Sequence, residues 1–204
     1  MQTESGIFAA LASLSAGMDL LVMLGTDPRK VVLFSLLLCA GVIDYHTQKI
    51  PNWLTLSGTS FALIYAAFVP FTPIHGFLWA CGGLAVGFIL LVPLYVLRVM
   101  GAGDVKLMAM IGAFLGVSDT FNAVIASFIV GGVAALFFAV YHRVFGRMIS
   151  NVKAVTELML ISAATGVKAG SPTQAVQSVG KLPYGVSIGI GTIGYVIATQ
   201  LGIV

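Results

Sequence analysis

Long runs of apolar residues, separated by short polar turns, set the strongest limit on what this chain can fold into. Several of these runs approach the ~20 residues that a helix needs to cross the apolar core of a bilayer. They lie near 6–24, 30–44, 53–70, 74–98, 105–117, 119–142 and 183–203. Only 8% of the residues are charged, against roughly 25% in an ordinary soluble domain, so few side chains remain to cover a surface in water. We therefore predict an all-α, polytopic transmembrane helix bundle.

The domain organisation follows from the order of these blocks. The last six are predicted to form six core spans of one membrane domain, residues 30–204. Residues 1–29 lack the basic start and the cleavage site of a signal peptide, so we expect them to belong to the mature protein. They form either an extra N-terminal span, which we favour, or an interfacial helix. Residues 148–181 are predicted to be a cytoplasmic amphipathic helix and loop, a connector rather than a lid.

The positive residues predict how the bundle is oriented. If the 45–52 loop is cytoplasmic and the six core blocks alternate, all but two of the ten basic residues lie in the cytoplasm, as loop charges of membrane proteins do. Those on the cytoplasmic side are Lys49, Arg98, Lys106, Arg143, Arg147, Lys153, Lys168 and Lys181. Spread between apolar blocks in this way, they do not form a nucleic-acid patch. We predict a multi-pass protein of the cell inner (cytoplasmic) membrane.

Metal and disulfide chemistry are not expected. Cys39 and Cys81 both lie in apolar blocks and lack the CxxC spacing of a zinc site or the pattern of a disulfide framework. We interpret both as small buried hydrophobic residues.

Two aspartates stand out among the seven carboxylates. The other five lie in loops or at helix ends and interfaces, where solvation explains them: Glu4, Asp19, Asp27, Asp119 and Glu157. Asp104 begins a block of about 13 residues, or about 20 Å of helix, within a bilayer core about 30 Å thick. It is therefore expected below the cytoplasmic surface, where a carboxylate faces the bundle interior or a water-filled cavity. Asp44 ends its block and is either a partner for Asp104 or an ordinary interfacial residue.

Gly101 and Gly103 lie three residues and one residue before Asp104, on either side of Ala102. Neither has a Cβ, so both permit positive φ and the close approach of a second chain. Irregular backbone at membrane depth is tolerated where it is buried in protein or lines water. The alternative is a helix break that packs tightly, with Asp104 as a helix N-cap.

A pair of aspartates at one depth suggests hydrolysis. One ionised carboxylate takes a proton from a water that attacks a peptide carbonyl, while a protonated one hydrogen-bonds the carbonyl oxygen. Two carboxylates this close share a proton and titrate jointly. Because Asp104 begins a helix and Asp44 ends one, the helix dipoles predict that Asp104 is the base and Asp44 the proton carrier.

The two aspartates lie in segments that resemble the signatures of type IV prepilin peptidases. Asp44 is followed by YHTQK and then by Ile50-Pro51-Asn52, and the second segment reads Gly101-Ala102-Gly103-Asp104-Val105-Lys106-Leu107. The resemblance covers residues 30–204, and the chain is similar to the compact peptidases of tight-adherence pili and also to archaeal preflagellin peptidases. A weaker match, Lys181-Leu182-Pro183-Tyr184-Gly185, resembles a Pro-Phe-Gly-Pro stretch of the family, from which Val186 departs.

This resemblance implies a membrane aspartic endopeptidase of the GxGD kind, with Asp44 and Asp104 as its catalytic pair. Its partners would be the lipid bilayer and the apolar helix of a prepilin or pseudopilin, whose basic leader is cut in type IV pilus biogenesis and protein secretion. No cofactor is implied, and without the cysteines of the larger members we expect no methyltransferase activity.

Five further residues are candidates for substrate binding. An extended substrate could pair with the backbone at Gly101 and Gly103. Lys106 either stabilises an ionised Asp104 or pairs with lipid phosphate. Pro51 and Asn52 either shape the loop after Asp44 or, in the case of Asn52, simply cap the next helix.

Two other classes of function remain open. Intramembrane carboxylates also occur in small proton-coupled transporters and channels, although the internal repeat of many transporters is not evident here. A non-catalytic assembly protein of the secretion machinery is the second alternative. The sequence does not indicate an oligomeric state.

Overall fold

The architecture is entirely helical in the part of the chain that the structure, a computed structural model, describes. Those residues are 27–69, 76–97, 99–141, 156–157 and 184–203. They form five helices, whose bounds are α1 Pro28–Thr47, α2 Asn52–Phe68, α3 Phe77–Val96, α4 Ala102–Tyr141 and α5 Tyr184–Gln200. The all-α prediction is confirmed for these ranges. The predicted N-terminal segment lies outside them, and so does nearly all of the predicted 148–181 helix and loop.

Three of the helices in the described part of the chain are long and apolar enough to cross a membrane. They are α1, α3 and residues 102–137 of α4, with mean hydropathies of 1.4, 2.2 and 2.0. Helices α2 and α5 are shorter, with 17 residues each, so six core spans remain a prediction. Many large apolar side chains point outward, among them Leu78, Phe68 and Phe137, which are 84%, 82% and 72% exposed. A surface of this kind is suited to lipid rather than to water.

The helix ends follow from local chemistry. Asp27 caps α1 by accepting a hydrogen bond from the Arg29 N–H at 3.1 Å, and Pro28 takes the first helical position. At the other end of α1, Gln48 adopts the left-handed conformation and its N–H bonds the Asp44 carbonyl. Helix α1 thus runs three residues beyond the end predicted at Asp44.

Gly116 breaks α4 into two segments. Its φ of 78° lies in the left-handed region, and a Cβ there would meet the Trp79 ring at 2.0 Å. Glycine is the residue that tolerates both conditions. The turn predicted between blocks 105–117 and 119–142 is therefore present as a break at this glycine.

The first segment of α4 is the centre of the bundle. Almost every residue from Asp104 to Gly116 is buried, and Leu107, Met108, Met110 and Ile111 are at most 1% exposed. The described residues 27–131 and 184–203 belong to a first compact unit, and the end of α4 from residue 132 belongs to a second. The first unit contains both Asp44 and Asp104.

Candidate active site

Asp44 and Asp104 lie at the same end of the bundle, each at the end of a helix. Asp44 belongs to the last turn of α1, and Asp104 is the third residue of α4. Both side chains are buried, since the residues are only 5% and 8% exposed. Aspartates are almost never buried this deeply unless they are paired or hydrogen-bonded.

A backbone amide next to the start of α4 satisfies the Asp104 carboxylate. Its Oδ2 accepts a hydrogen bond from the N–H of Gly101 at 3.1 Å. A carboxylate three residues into a helix that reaches back to the N–H before the helix is half of a capping box. Asp104 is therefore not the N-cap that the alternative interpretation assumed, but its side chain does satisfy a free donor of the helix start.

A different segment of the chain supplies the donor for Asp44. Its Oδ2 accepts a hydrogen bond from the N–H of Gly185 at 2.8 Å, across 141 residues of sequence. Gly185 is the second residue of α5, so the N-terminal end of α5 faces this carboxylate. Asp44 therefore lies at the C-terminal end of one helix and against the N-terminal end of another. Both carboxylates therefore lie near the N-terminal end of a helix, so the helix dipoles do not distinguish Asp44 from Asp104. The prediction that Asp104 is the base and Asp44 the proton carrier loses its physical reason.

Ile50 connects the two aspartate segments. A Cβ added to Gly103 would lie 3.1 Å from Ile50 Cβ, and one added to Gly185 would lie 3.0 Å from Ile50 Cδ1. The loop after α1 thus packs between the starts of α4 and α5, and these contacts bring Asp44 and Asp104 into one neighbourhood. The two carboxylates are close enough to interact electrostatically, and Tyr184 also interacts with Asp104.

Asn52 and Lys106 join the two segments on the exposed side. Lys106 Nζ donates a hydrogen bond to Asn52 Oδ1 at 2.9 Å, a partner that neither prediction for Lys106 considered. The expected capping by Asn52 is wrong, because Pro51 holds the cap position of α2 and Asn52 is already helical. The Asn52 side chain instead accepts the hydrogen bond from Lys106.

Neither glycine before Asp104 has an unusual backbone conformation, and lack of space explains Gly103 but not Gly101. Among the described glycines only Gly116 and Gly202 have positive φ, so the permitted left-handed conformation is not used at Gly101 or Gly103. A Cβ at Gly101 would lie 3.4 Å from Asp104 Oδ2, and Gly103 packs on Ile50. Because the Gly101 N–H is already donated to Asp104, a substrate strand along 101–103 would have to pair through other groups.

Only a weak signal in the amino-acid sequence pointed to Gly185. It belongs to the third, partial match, whose first residues Lys181, Leu182 and Pro183 lie outside the described part of the chain. A glycine at the start of an apolar block can contact any neighbour, and only the folded chain identifies Asp44 as that neighbour. Ile50 carried no chemical signal, because its role is to pack between two backbones.

The arrangement suits acid–base chemistry by two carboxylates. Each aspartate has Oδ2 held by an amide, and the backbone N–H of Val186 also interacts with the Asp44 carboxylate. The described residues contain no group of three or more His, Cys, Asp or Glu side chains placed to hold a metal ion. Two neighbouring carboxylates held by backbone amides can bind and polarise a shared water.

Comparison with known families agrees with this geometry. The sequence model of the type IV leader peptidase family matches residues 31–136, which include both aspartates, all of α2 and α3, and most of α1 and α4. The chain belongs to the type IV leader peptidase family. It is accordingly a peptidase, with helices that can span a membrane. Comparisons with curated proteins and with solved structures gave no match.

Proposed function

We propose that this protein is a membrane-embedded aspartic endopeptidase that removes the leader peptide of type IV prepilins or pseudopilins. The observation that carries the proposal is the pair of buried carboxylates at one end of the bundle, each held by a backbone amide through Oδ2. Membership of the leader peptidase family supports the class of substrate.

The proposed reaction uses one water between Asp44 and Asp104. One carboxylate, ionised, removes a proton from the water as the water oxygen attacks the scissile carbonyl. The other, protonated, donates a hydrogen bond to the carbonyl oxygen as negative charge develops there. Collapse of the tetrahedral intermediate breaks the C–N bond, and the leaving amine takes a proton from the carboxylic acid. Two buried carboxylates that share one proton meet these requirements without a cofactor.

The site is proposed to face the cytoplasm. The loop between α1 and α2 carries Lys49, and Lys106 follows Asp104, so the aspartate end of the bundle is basic on its exposed side. Positive residues of this kind favour the cytoplasmic side of a membrane. A prepilin has its basic leader in the cytoplasm and its apolar helix in the bilayer, so its scissile bond would lie at the level of these carboxylates.

A cleavage assay tests the proposal. The protein in membrane vesicles is mixed with a prepilin-like peptide, and leader loss is measured for the wild type, Asp44→Asn and Asp104→Asn. We expect each substitution to lower the cleavage rate at least about 10³-fold, because the two carboxylates act together and the reaction needs both. Asp119→Asn is the matched control, because Asp119 lies on α4 beyond the Gly116 break, where it accepts a hydrogen bond from Tyr195, and it should retain the wild-type rate.

The same assay distinguishes the alternatives and the membrane side. Cleavage should occur in inverted vesicles, which expose the cytoplasmic face, and be absent from sealed right-side-out vesicles. A chain that retains cleavage after both aspartates are replaced contradicts the mechanism. A wild-type protein that binds the peptide without cutting it favours an assembly protein, and proton flux dependent on the aspartates without cleavage favours a transporter.

A further inference from the structure

The start of α5 lies directly against the Asp44 carboxylate. The Gly185 N–H donates to Asp44 Oδ2 at 2.8 Å, the shorter of the two amide contacts to the aspartate pair. Gly185 itself is buried, so water does not compete for this donor. A charge-assisted hydrogen bond to a buried amide fixes both the position and the rotation of a carboxylate.

Position 185 also has no room for a side chain. A Cβ there would lie 2.8 Å from Asp44 Oδ2 and 3.0 Å from Asp44 Cγ, closer than carbon normally approaches either atom. Gly185 is not among the described glycines with positive φ, so its backbone conformation does not require glycine. The carboxylate of Asp44 occupies the space that a side chain would need.

We propose that Gly185 is a positioning residue for Asp44 in the reaction proposed above. Its N–H holds Oδ2, and its missing side chain lets the carboxylate rest against the start of α5. Helix α5 itself is anchored beyond this point, because a Cβ at Gly191 would meet the Ser127 backbone at 2.5 Å. If a side chain were added at position 185, the Asp44 carboxylate would therefore move rather than α5.

The contact is tested without any enzyme assay. The unfolding midpoint is measured for the wild type, Gly185→Ala, Asp44→Ala and the double variant Asp44→Ala/Gly185→Ala. We expect Gly185→Ala to lower the midpoint by several degrees when Asp44 is present and much less when it is absent, because the clashing carboxylate has been removed. The remaining neighbour, Ile50 Cδ1, is the end of a flexible side chain and can rotate away. An equal loss in both backgrounds overturns the proposal.

The catalytic consequence is tested by kinetics in the vesicle assay. Gly185→Ala should lower kcat at least about tenfold and leave KM within about twofold, because a displaced carboxylate impairs the chemical step rather than substrate binding. Gly189→Ala is the matched control one turn further along α5, where a Cβ would lie 3.6 Å from the Leu37 carbonyl oxygen, an ordinary contact. It should retain both kinetic parameters and show no coupling to Asp44.

The outcomes separate this inference from the function on which it rests. A wild-type protein that does not cleave contradicts the proposed function, while the coupled unfolding of Gly185 and Asp44 still supports the contact. Cleavage by the wild type with unchanged kcat in Gly185→Ala contradicts the positioning role alone. An increase in KM as large as the decrease in kcat would also contradict the positioning role.

Discussion

At the scale of single residues, the site depends on backbone donors and on missing side chains. Gly101 and Gly185 each give an N–H to one aspartate, and a Cβ at Gly185 would lie only 2.8 Å from Asp44 Oδ2. Amide donors on helix starts are fixed by the helix itself, so they cost little additional side-chain entropy when they hold a carboxylate. The reacting groups are thus preorganised by elements far from them in sequence.

The Asn52–Lys106 hydrogen bond should couple the two aspartate segments measurably. In a double-mutant cycle of Asn52→Ala and Lys106→Met, we expect a coupling free energy of about 0.5–1 kcal/mol, modest because the bond is exposed. Chemical unfolding in detergent micelles provides the measurement. The control cycle combines Asn52→Ala with Lys30→Met, since Lys30 bonds Gln200 elsewhere, and should be additive. Additivity of Asn52 with Lys106 would contradict the role given to this contact.

The residues that sequence reasoning found are those whose chemistry is conspicuous. Asp44 and Asp104 are carboxylates in apolar surroundings, and such groups indicate function wherever they occur. Gly185 and Ile50 have no distinctive chemistry, and their roles come from contacts with residues distant in the chain. The capping role of Asn52 was predicted from local preference, which the tertiary contact with Lys106 overrides.

At the scale of helices, close backbone contact between α3 and the first segment of α4 holds the core together. A Cβ at Gly83 would lie 2.0 Å from the Gly112 carbonyl oxygen, and one at Gly112 would lie 2.1 Å from the Gly83 carbonyl oxygen. One turn further along α3, Gly87 meets the Met108 backbone in the same way. Small residues at such crossings let membrane helices approach closely, where lipid provides no hydrophobic drive for association.

Gly83→Ala should therefore destabilise the protein strongly. We expect a loss of about 3 kcal/mol in the free energy of unfolding, because a backbone oxygen cannot move aside as a side chain can. Gly41→Ala is the control, since a Cβ there would meet nothing within 4 Å, and its effect should stay within about 1 kcal/mol. Equal effects of the two substitutions on chemical unfolding would contradict the packing described here.

Helix positions were predictable to within a few residues because the apolar blocks end at turn residues. A turn was predicted between blocks 105–117 and 119–142, and α4 breaks there, at Gly116. The three extra residues of α1 were not predictable, because they depend on Gln48 adopting a left-handed conformation. The contacts between helices were not predictable either, since glycines are frequent in all the blocks and their partners are set only by packing.

At the scale of the whole molecule, alternation of the helices collects the reactive groups at one end. Asp44 near the end of α1 and the starts of α2, α4 and α5 meet there, joined through Ile50 and the Asn52–Lys106 bond. Composition alone predicted the helical, lipid-suited fold, because 8% charged residues cannot cover a water-soluble surface of this size. The sequence predicted that both aspartates lie at cytoplasmic helix ends. That three distant segments of the chain meet there could be learned only from the tertiary structure.

The central claim is that Asp44 and Asp104 share one space, and cross-linking in the membrane tests it most directly. Asp44→Cys and Asp104→Cys are combined in a chain whose Cys39 and Cys81 are replaced by Ala. A short bifunctional thiol reagent is added, with and without substrate, and the chain is then cut between α2 and α3. We predict that the two fragments remain joined, whereas fragments with cysteines at 44 and 119 separate. Separation of the 44–104 pair under both conditions would contradict the account.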